Sequence, residues 1–253
     1  MALVVETVGD GAAVVMIHGL GGTSNTFQPL MATLAAYRVI RPDMPGSGRS
    51  DMGAGPLSIE GHAAAVLNLM DEAGLRVAHL VGHSMGTIVC QHIAATVPDR
   101  VAGLVLFGAL TEPPEAARTG LVARAGVARA QGMAGIADQI IAATLAARTH
   151  EETPAAVAFV RESILRQPPE GYARNCEALG RARRVDGGRI KAPVLLVTGD
   201  ADPVAPVSMG QQLADTIAGA EITVLDRCGH WVTVEQAGAA ARLVAGHLAR
   251  HAI

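Results

Sequence analysis

Short runs of aliphatic, largely β-branched residues recur along the chain. Between them lie longer stretches in which apolar positions return every three or four residues. The short runs predict strands over residues 12–17, 38–41, 77–81, 101–107, 193–198 and 221–225. The longer pattern predicts helices over 25–35, 58–73, 85–96, 207–217 and 234–251, with Ser58 placed to cap the second of them. Strands that alternate with helices argue for an α/β domain with a mostly parallel sheet and helices on both faces. The rhythm changes over residues 111–186, where no strand pattern appears. That stretch reads as several helices, with turn signals at Pro113-Pro114, Pro154 and Pro168-Pro169 and with Gly171 and Gly180 as breaks. The expected organisation is a core made of residues 1–110 and 187–253 and a helical cap made of residues 111–186.

Composition narrows the class. The 253 residues are 50% hydrophobic and 17% charged, which is a globular balance and not a disordered one. Aromatic residues make up only 2%, so the walls of any pocket should be aliphatic. The formal net charge is −3, with one lysine, Lys191, against nineteen arginines and no basic stripe, which argues against a nucleic-acid partner. Cys90, Cys176 and Cys228 are far apart and odd in number, fitting neither a disulfide framework nor a metal site, so a reducing cytoplasm is expected. The first residues lack a basic stretch followed by a long apolar run, and no apolar run reaches the ~18 residues of a membrane span. Neither a signal peptide nor a membrane partner is expected.

The chemistry lies at the ends of the predicted strands. Gly82-His83-Ser84-Met85-Gly86 follows one strand and opens a helix. A G-x-S-x-G turn in that context lifts a serine oxygen out of the sheet at a helix N-terminus. His18-Gly19-Leu20-Gly21-Gly22 closes another strand, and its glycines allow backbone to approach a substrate. An oxyanion needs two aimed donors, and the amides of Met85 and Leu20 are the candidates. Serine also needs a base. Of nine histidines, His230 in Cys228-Gly229-His230-Trp231 follows the last predicted strand, at the carboxyl edge where α/β sheets bind ligands. His247 and His251 fall on the final helix and read as surface residues, and His18 and His83 flank the candidate site. An acid should follow the strand at 193–198, where Asp200 and Asp202 compete. The chain order serine, acid, histidine is that of α/β-hydrolase triads.

Across nearly its whole length the sequence resembles the α/β-hydrolase family. The resemblance rests on His18–Gly22, on Asp43-Met44-Pro45-Gly46-Ser47-Gly48-Arg49-Ser50, on the Ser84 turn, on residues 199–206 and on Gly229-His230. The family's acid motif, G-x-x-D-x-x-x-P, falls on Gly199, Asp202 and Pro206, which favours Asp202 over Asp200. The resemblance implies the α/β-hydrolase fold with a helical cap inserted after the sixth strand. It also implies a Ser84–His230–Asp202 triad and no metal or organic cofactor. Within the family, Gly132-Met133-Ala134-Gly135-Ile136-Ala137-Asp138 and Gln167-Pro168-Pro169-Glu170-Gly171-Tyr172-Ala173 resemble the caps of bacterial 3-oxoadipate enol-lactonases, enzymes of aromatic catabolism. The cap differs from that group in lacking tryptophan and in carrying Ala143-Thr144 in place of a bulky aromatic pair. Gly86-Thr87 also stands where that group has two glycines.

The expected function is hydrolysis of a small carboxylic ester or enol-lactone through an acyl-enzyme. A carbon–carbon bond hydrolase of a ring-cleavage diketone and a ligand-binding protein on the same fold are the alternatives. Ser84 in place of an aspartate disfavours dehalogenase and epoxide-hydrolase chemistry. Ten arginines lie between residues 111 and 186, and of these Arg124 and Arg129 are candidates to meet a substrate carboxylate. Gly19 and Trp231 are candidates to border the substrate. Cys228 reads as a small core residue. A monomer or homodimer fits these readings.

Overall fold

Residues 3–253 are described by a computed structural model of the chain. The first half places five strands, β1 Val5–Val8, β2 Ala13–Ile17, β3 Arg38–Pro42, β4 Ala78–His83 and β5 Val101–Phe107. Helix α1, Ile59–Glu72, precedes β4, and α2, Met85–Thr96, follows it. Ser58 caps α1, its hydroxyl accepting from the Gly61 amide at 3.0 Å. Five helices follow, α3 Glu115–Gln131, α4 Ala134–Thr144, α5 Ala147–Glu152, α6 Pro154–Leu165 and α7 Pro169–Arg181. The chain then returns through β6 Val194–Gly199, α8 Val207–Ala214, β7 Glu221–Leu225, α9 Val232–Glu235 and α10 Ala237–Arg250.

The seven strands lie in the order β1-β3-β2-β4-β5-β6-β7, all parallel except β1 against β3. The chain winds outward from β2 to β3, then crosses back so that β4 pairs with the other side of β2. The carboxyl ends of β2 and β4 therefore sit side by side at the point where the winding reverses, and such points leave a crevice. β2, β4 and β6 are buried along their whole length, as central strands covered on both faces must be. Alternate residues feed two cores. Val15, Ile17, Leu80 and Leu104 pack with Val66, Ile88 and Ile93 of α1 and α2. Val14, Met16, Val81 and Val105 pack with Phe27, Leu30, Val244 and Leu248 on the opposite face.

Several expectations need correction. The helical insertion leaves the sheet after the fifth strand rather than after the sixth. The stretch before the glycine turn at Gly19 has room for two strands, β1 and β2, and not three. β1 itself was not expected, because a four-residue half-exposed edge carries no sustained alternation. The helix expected over 25–35 is a 3-10 helix, Ser24–Leu34, since Pro29 lies inside it and supplies no amide. The final helix is two helices, broken at Gln236, whose φ of −132° is not helical.

Gly171 and Gly180 both lie within α7 and break nothing. At Gly171 the absent side chain serves packing, because a Cβ there would stand 2.1 Å from the Gly46 carbonyl oxygen. His247 is buried, contrary to the surface position expected of it. Gly103 on β5 makes the room: a Cβ there would stand 2.9 Å from His79 Nδ1 and 3.2 Å from His247 Nε2.

Neither ring nitrogen of His79 or His247 has a hydrogen-bond partner among the described residues. Burial, with the charge of nearby His251 next, pulls both down to about 4. Burial likewise takes His62 to about 4, against the hydrogen bond it makes with Asn175.

Two predictions follow from this packing. Gly171→Ala should destabilise the protein by about 1–3 kcal/mol through the clash with Gly46. Gly180→Ala, with only Leu121 Cβ at 3.9 Å beside it, should stabilise by about 0.5–1 kcal/mol. Denaturant titration of the two variants measures both. As pH falls from 6.5 toward about 4, the unfolded chain takes up protons at these histidines and the folded chain does not, so acid favours unfolding. Melting temperature should fall across that window, and His247→Gln should flatten the slope; a melting temperature independent of pH there would contradict it.

Candidate active site

β4 ends directly in a turn at Ser84, and α2 begins one residue later. Ser84 has φ 54° and ψ −122°, one of two described non-glycine residues with positive φ. Such a backbone stores strain and persists only where its surroundings fix it. Here the Ser84 amide donates to Phe107 O at 3.0 Å, and Thr87 Oγ1 donates to Ser84 O at 2.6 Å. The Thr87 hydroxyl also accepts from the Leu110 amide at 2.9 Å, which ties the turn to the chain leaving β5. Gly86 lets α2 approach β2, since a Cβ there would stand 2.1 Å from Ile17 O. The Gly19 turn lies against the same corner, because a Cβ at Gly19 would stand 2.6 Å from Ser84 Cβ.

His230 and Asp202 meet Ser84 from the loops after β7 and β6. His230 Nδ1 donates to Asp202 Oδ2 at 2.8 Å, and its Nε2 accepts from the Ser84 hydroxyl at 2.9 Å. The other carboxylate oxygen of Asp202 accepts from the amides of Val204 and Ala205 at 2.8 and 2.9 Å. Burial works to raise the Asp202 pKa, but the facing imidazole, its hydrogen bond and the two amides outweigh it, and the net shift is downward. Asp202 therefore stays ionised well into acid. The stability it contributes is present above the ordinary carboxylate range and is lost only as pH falls through its depressed value. Asp200 is exposed and accepts from the Cys228 amide at 3.2 Å, and it makes no hydrogen bond to the His230 ring.

The flanking histidines are fixed and neutral. His83 Nε2 donates to the His230 carbonyl at 2.9 Å, and its ring leans against those of His230 and Trp231 with centroids 5.1 and 5.3 Å away. Burial, with the charge of His230 next, takes His83 to about 3. His18 Nδ1 donates to Gly19 O at 2.8 Å, and its Nε2 accepts from the Met44 amide at 2.9 Å. Burial lowers its pKa, and this tautomer pins the glycine turn to the loop after β3. In that loop buried Asp43 accepts from the Ser24 amide and from Arg49, which holds the segment in place. Among the described residues the Leu20 amide has no protein acceptor, and the Met85 amide, first in α2, has none within its helix.

A cavity of about 470 Å³ opens over Ser84 and His230. Its walls are largely apolar, with Leu110, Leu121, Ile140, Leu179, Pro203 and Met209 among them. Leu20, Trp231 and Arg124 also line it. Arg129 does not. It binds Glu170 and Glu177 on the surface at 2.7 and 2.6 Å, because five residues along a helix rotate a side chain by about 140° from Arg124. Gly19 lies beneath the turn and is not on the cavity wall. Among the described residues no cluster of three or more histidine, cysteine or acidic side chains is arranged to hold a metal ion. Among them no helix is long and apolar enough to cross a membrane.

Two site residues escaped sequence reasoning. Glu235 accepts from the amides of Gly229 and Trp231, on either side of His230, at 3.2 and 2.9 Å. It also accepts from the Ala146 amide at 2.9 Å, in the junction between α4 and α5, and from the Thr149 hydroxyl at 2.7 Å, in α5. The His230 amide donates to Thr144 O at 2.8 Å, so the loop is fastened to the inserted helices twice. Gln167 Nε2 donates to the Gly21 and Gly22 carbonyls at 3.2 and 3.1 Å, and Ser163 Oγ donates to Gly21 O at 2.8 Å. An acid five residues beyond the histidine was the one available signal for Glu235. Nothing in the pattern marked Gln167 as a strut.

Residues 12–237 match the α/β-hydrolase fold family. The chain is 31% identical over 229 residues to 3-oxoadipate enol-lactonase 2 of Acinetobacter baylyi, covering 90% of this chain and 85% of that one. It is 31% identical over 270 residues to the 2-hydroxy-6-oxo-6-phenylhexa-2,4-dienoate hydrolase of Burkholderia cepacia, covering 95% and 89%. The structure of a thermophilic esterase from Thermogutta terrifontis superposes with a TM-score of 0.94 at 26% identity, covering 99% of this chain and 94% of that one. With the sheet order, the serine turn and these matches in agreement, the chain belongs to the α/β-hydrolase fold family.

Proposed function

We propose that this protein is a serine hydrolase that opens a carboxylic ester or enol-lactone of a small substrate through an acyl-enzyme. The observation that carries the reading is the continuous hydrogen-bonded path from Asp202 through His230 to Ser84 at the floor of an apolar cavity. His230 takes the Ser84 proton as Oγ attacks the carbonyl, and Asp202 holds the imidazole tautomer and balances the imidazolium. The amides of Leu20 and Met85 receive the oxyanion, the latter at the positive end of α2. Collapse leaves the acyl group on Ser84 while His230 protonates the leaving oxygen. For a lactone that oxygen stays tethered to the acyl chain. Water, deprotonated by His230, then releases the acid and restores Ser84.

The enol-lactonase relative and the esterase fold support the ester and lactone reading. A second reading has its own support in the carbon–carbon bond hydrolase relative at the same 31% identity. Assay of an enol-lactone, a short aryl ester and a vinylogous dienol diketone separates the two. Turnover of the first two with none of the third supports the ester reading, and preference for the dienol replaces it. Slow turnover of all three by folded protein would favour a ligand-binding role. On the preferred substrate Ser84→Ala should lower kcat by about 10⁶-fold, the scale seen in serine proteases. Near-full activity in that variant would overturn the assignment.

Glu235 serves as a positioning residue in this scheme. Glu235→Gln leaves side-chain size unchanged but loses acceptors for the amides beside His230. It should lower kcat by about 10- to 100-fold with a smaller change in KM. Steady-state kinetics check this, and an unchanged kcat would remove the role.

A further inference from the structure

Gly86 lets α2 pack against β2, but that packing calls for no hydroxyl at the next position. A β-branched residue gains nothing there from helix propensity either. Thr87 is nevertheless fully buried in the first turn of α2, and its hydroxyl both donates and accepts. It accepts from the Leu110 amide at 2.9 Å and donates to Ser84 O at 2.6 Å. The direction follows from the donors present: a backbone N–H can only donate, so the one hydroxyl proton is left for the Ser84 carbonyl. Buried Gln91 steadies the far end, its Nε2 donating to Leu110 O at 2.9 Å and to Thr87 O at 3.0 Å.

The Ser84 carbonyl and the Met85 amide belong to one peptide unit. No peptide bond among the described residues is cis, and across a planar trans unit the C=O and N–H point in opposite directions. A donor that fixes the Ser84 oxygen therefore also fixes the line along which the Met85 N–H leaves the turn. Hydrogen bonds in series polarise one another, so a peptide held at its oxygen donates more strongly at its nitrogen. The Leu110 amide, the Thr87 hydroxyl and the Ser84–Met85 peptide form one such series, and its last donor has no acceptor within α2.

The peptide joining Gly19 to Leu20 is held alike. Its oxygen accepts from His18 Nδ1 at 2.8 Å and from the Gly22 amide at 3.0 Å, while His18 Nε2 accepts from the Met44 amide. Both candidate oxyanion donors thus lie at the end of a series that starts at a backbone amide distant in sequence and passes through one buried side chain.

We propose that Thr87 is a positioning residue for the oxyanion: its hydroxyl, bound to the Ser84 carbonyl, aims and polarises the Met85 amide toward the oxygen that becomes negative as Ser84 attacks. The inference rests on the serine-hydrolase reading of the site and, for Thr87 itself, on the Leu110–Thr87–Ser84 hydrogen bonds.

Thr87→Val keeps the shape of the side chain and removes the hydroxyl, whereas Thr87→Ser keeps the hydroxyl and loses the methyl group. Each is compared with wild type on 4-nitrophenyl butyrate and on its thiono counterpart, in which sulfur replaces the carbonyl oxygen. Sulfur accepts hydrogen bonds weakly, so the thiono ester gains little from a well-aimed amide. Nitrophenolate release with enzyme in excess reads the acylation step for both esters. Their ratio is taken on one preparation, so loss of folded protein cancels. Thr87→Val should slow the oxygen ester by about 10- to 100-fold, less than the roughly 10²- to 10³-fold lost with an oxyanion donor itself. The thiono ester should slow far less, so the oxygen-over-sulfur ratio falls, and Thr87→Ser should restore it. A ratio that Thr87→Val leaves unchanged, with both rates kept or both lowered together, overturns the role and leaves the triad reading standing. A wild-type protein that releases nitrophenolate from neither ester removes the ester reading, and the inference with it.

Discussion

Ser84 has to hold a left-handed backbone at the end of a fully buried strand, and much of the molecule is arranged around that requirement. An L-residue with φ 54° does not stay there unaided. β4 lies between β2 and β5, so the turn cannot shift without breaking the sheet. The Ser84 amide is tied to Phe107 on β5, and Thr87 joins the Ser84 carbonyl to Leu110. The close approach at Gly86 then brings the start of α2 down onto β2. Because the strand order reverses between β2 and β4, the Gly19 turn falls beside the serine without any long loop to carry it there.

The histidine loop is held differently. The loop that carries His230 lies between β7 and α9; the His83 side chain at the end of β4 holds the His230 carbonyl at 2.9 Å, and the other fastenings come from outside the sheet. Glu235 collects two amides of that loop, the Ala146 amide just before α5 and the Thr149 hydroxyl within α5, and the Thr144 carbonyl takes the His230 amide. Gln167 and Ser163 reach the glycine turn from the other side of the insertion. The inserted helices therefore roof the cavity and also brace both the base loop and the turn that carries Leu20.

Sequence patterning carried the central elements well, for physical reasons. Buried parallel strands read as continuous aliphatic runs, and a serine between glycines at a strand–helix junction has few other uses. Ser84, His230 and Asp202 were legible through motif and chain order, although choosing Asp202 over Asp200 needed the family resemblance. Distance then separates the two, since Asp202 lies 2.8 Å from His230 while Asp200 turns to the Cys228 amide. What stayed hidden depends on contacts distant in sequence. His247 looked like a surface residue because nothing local reveals that Gly103 leaves a hole for it. Gly171 looked like a helix break because its partner, Gly46, is more than a hundred residues away in the chain. Arg124 and Arg129 were indistinguishable until the helix phase placed one over the cavity and the other among surface acids.

Activation of Ser84 is the claim on which the functional account stands. Labelling with a fluorophosphonate, followed by peptide mapping by mass spectrometry, tests it without knowledge of the substrate. The account predicts a stoichiometric adduct on Ser84 that disappears in His230→Ala. An adduct on a different serine, or no adduct on correctly folded protein, would contradict it.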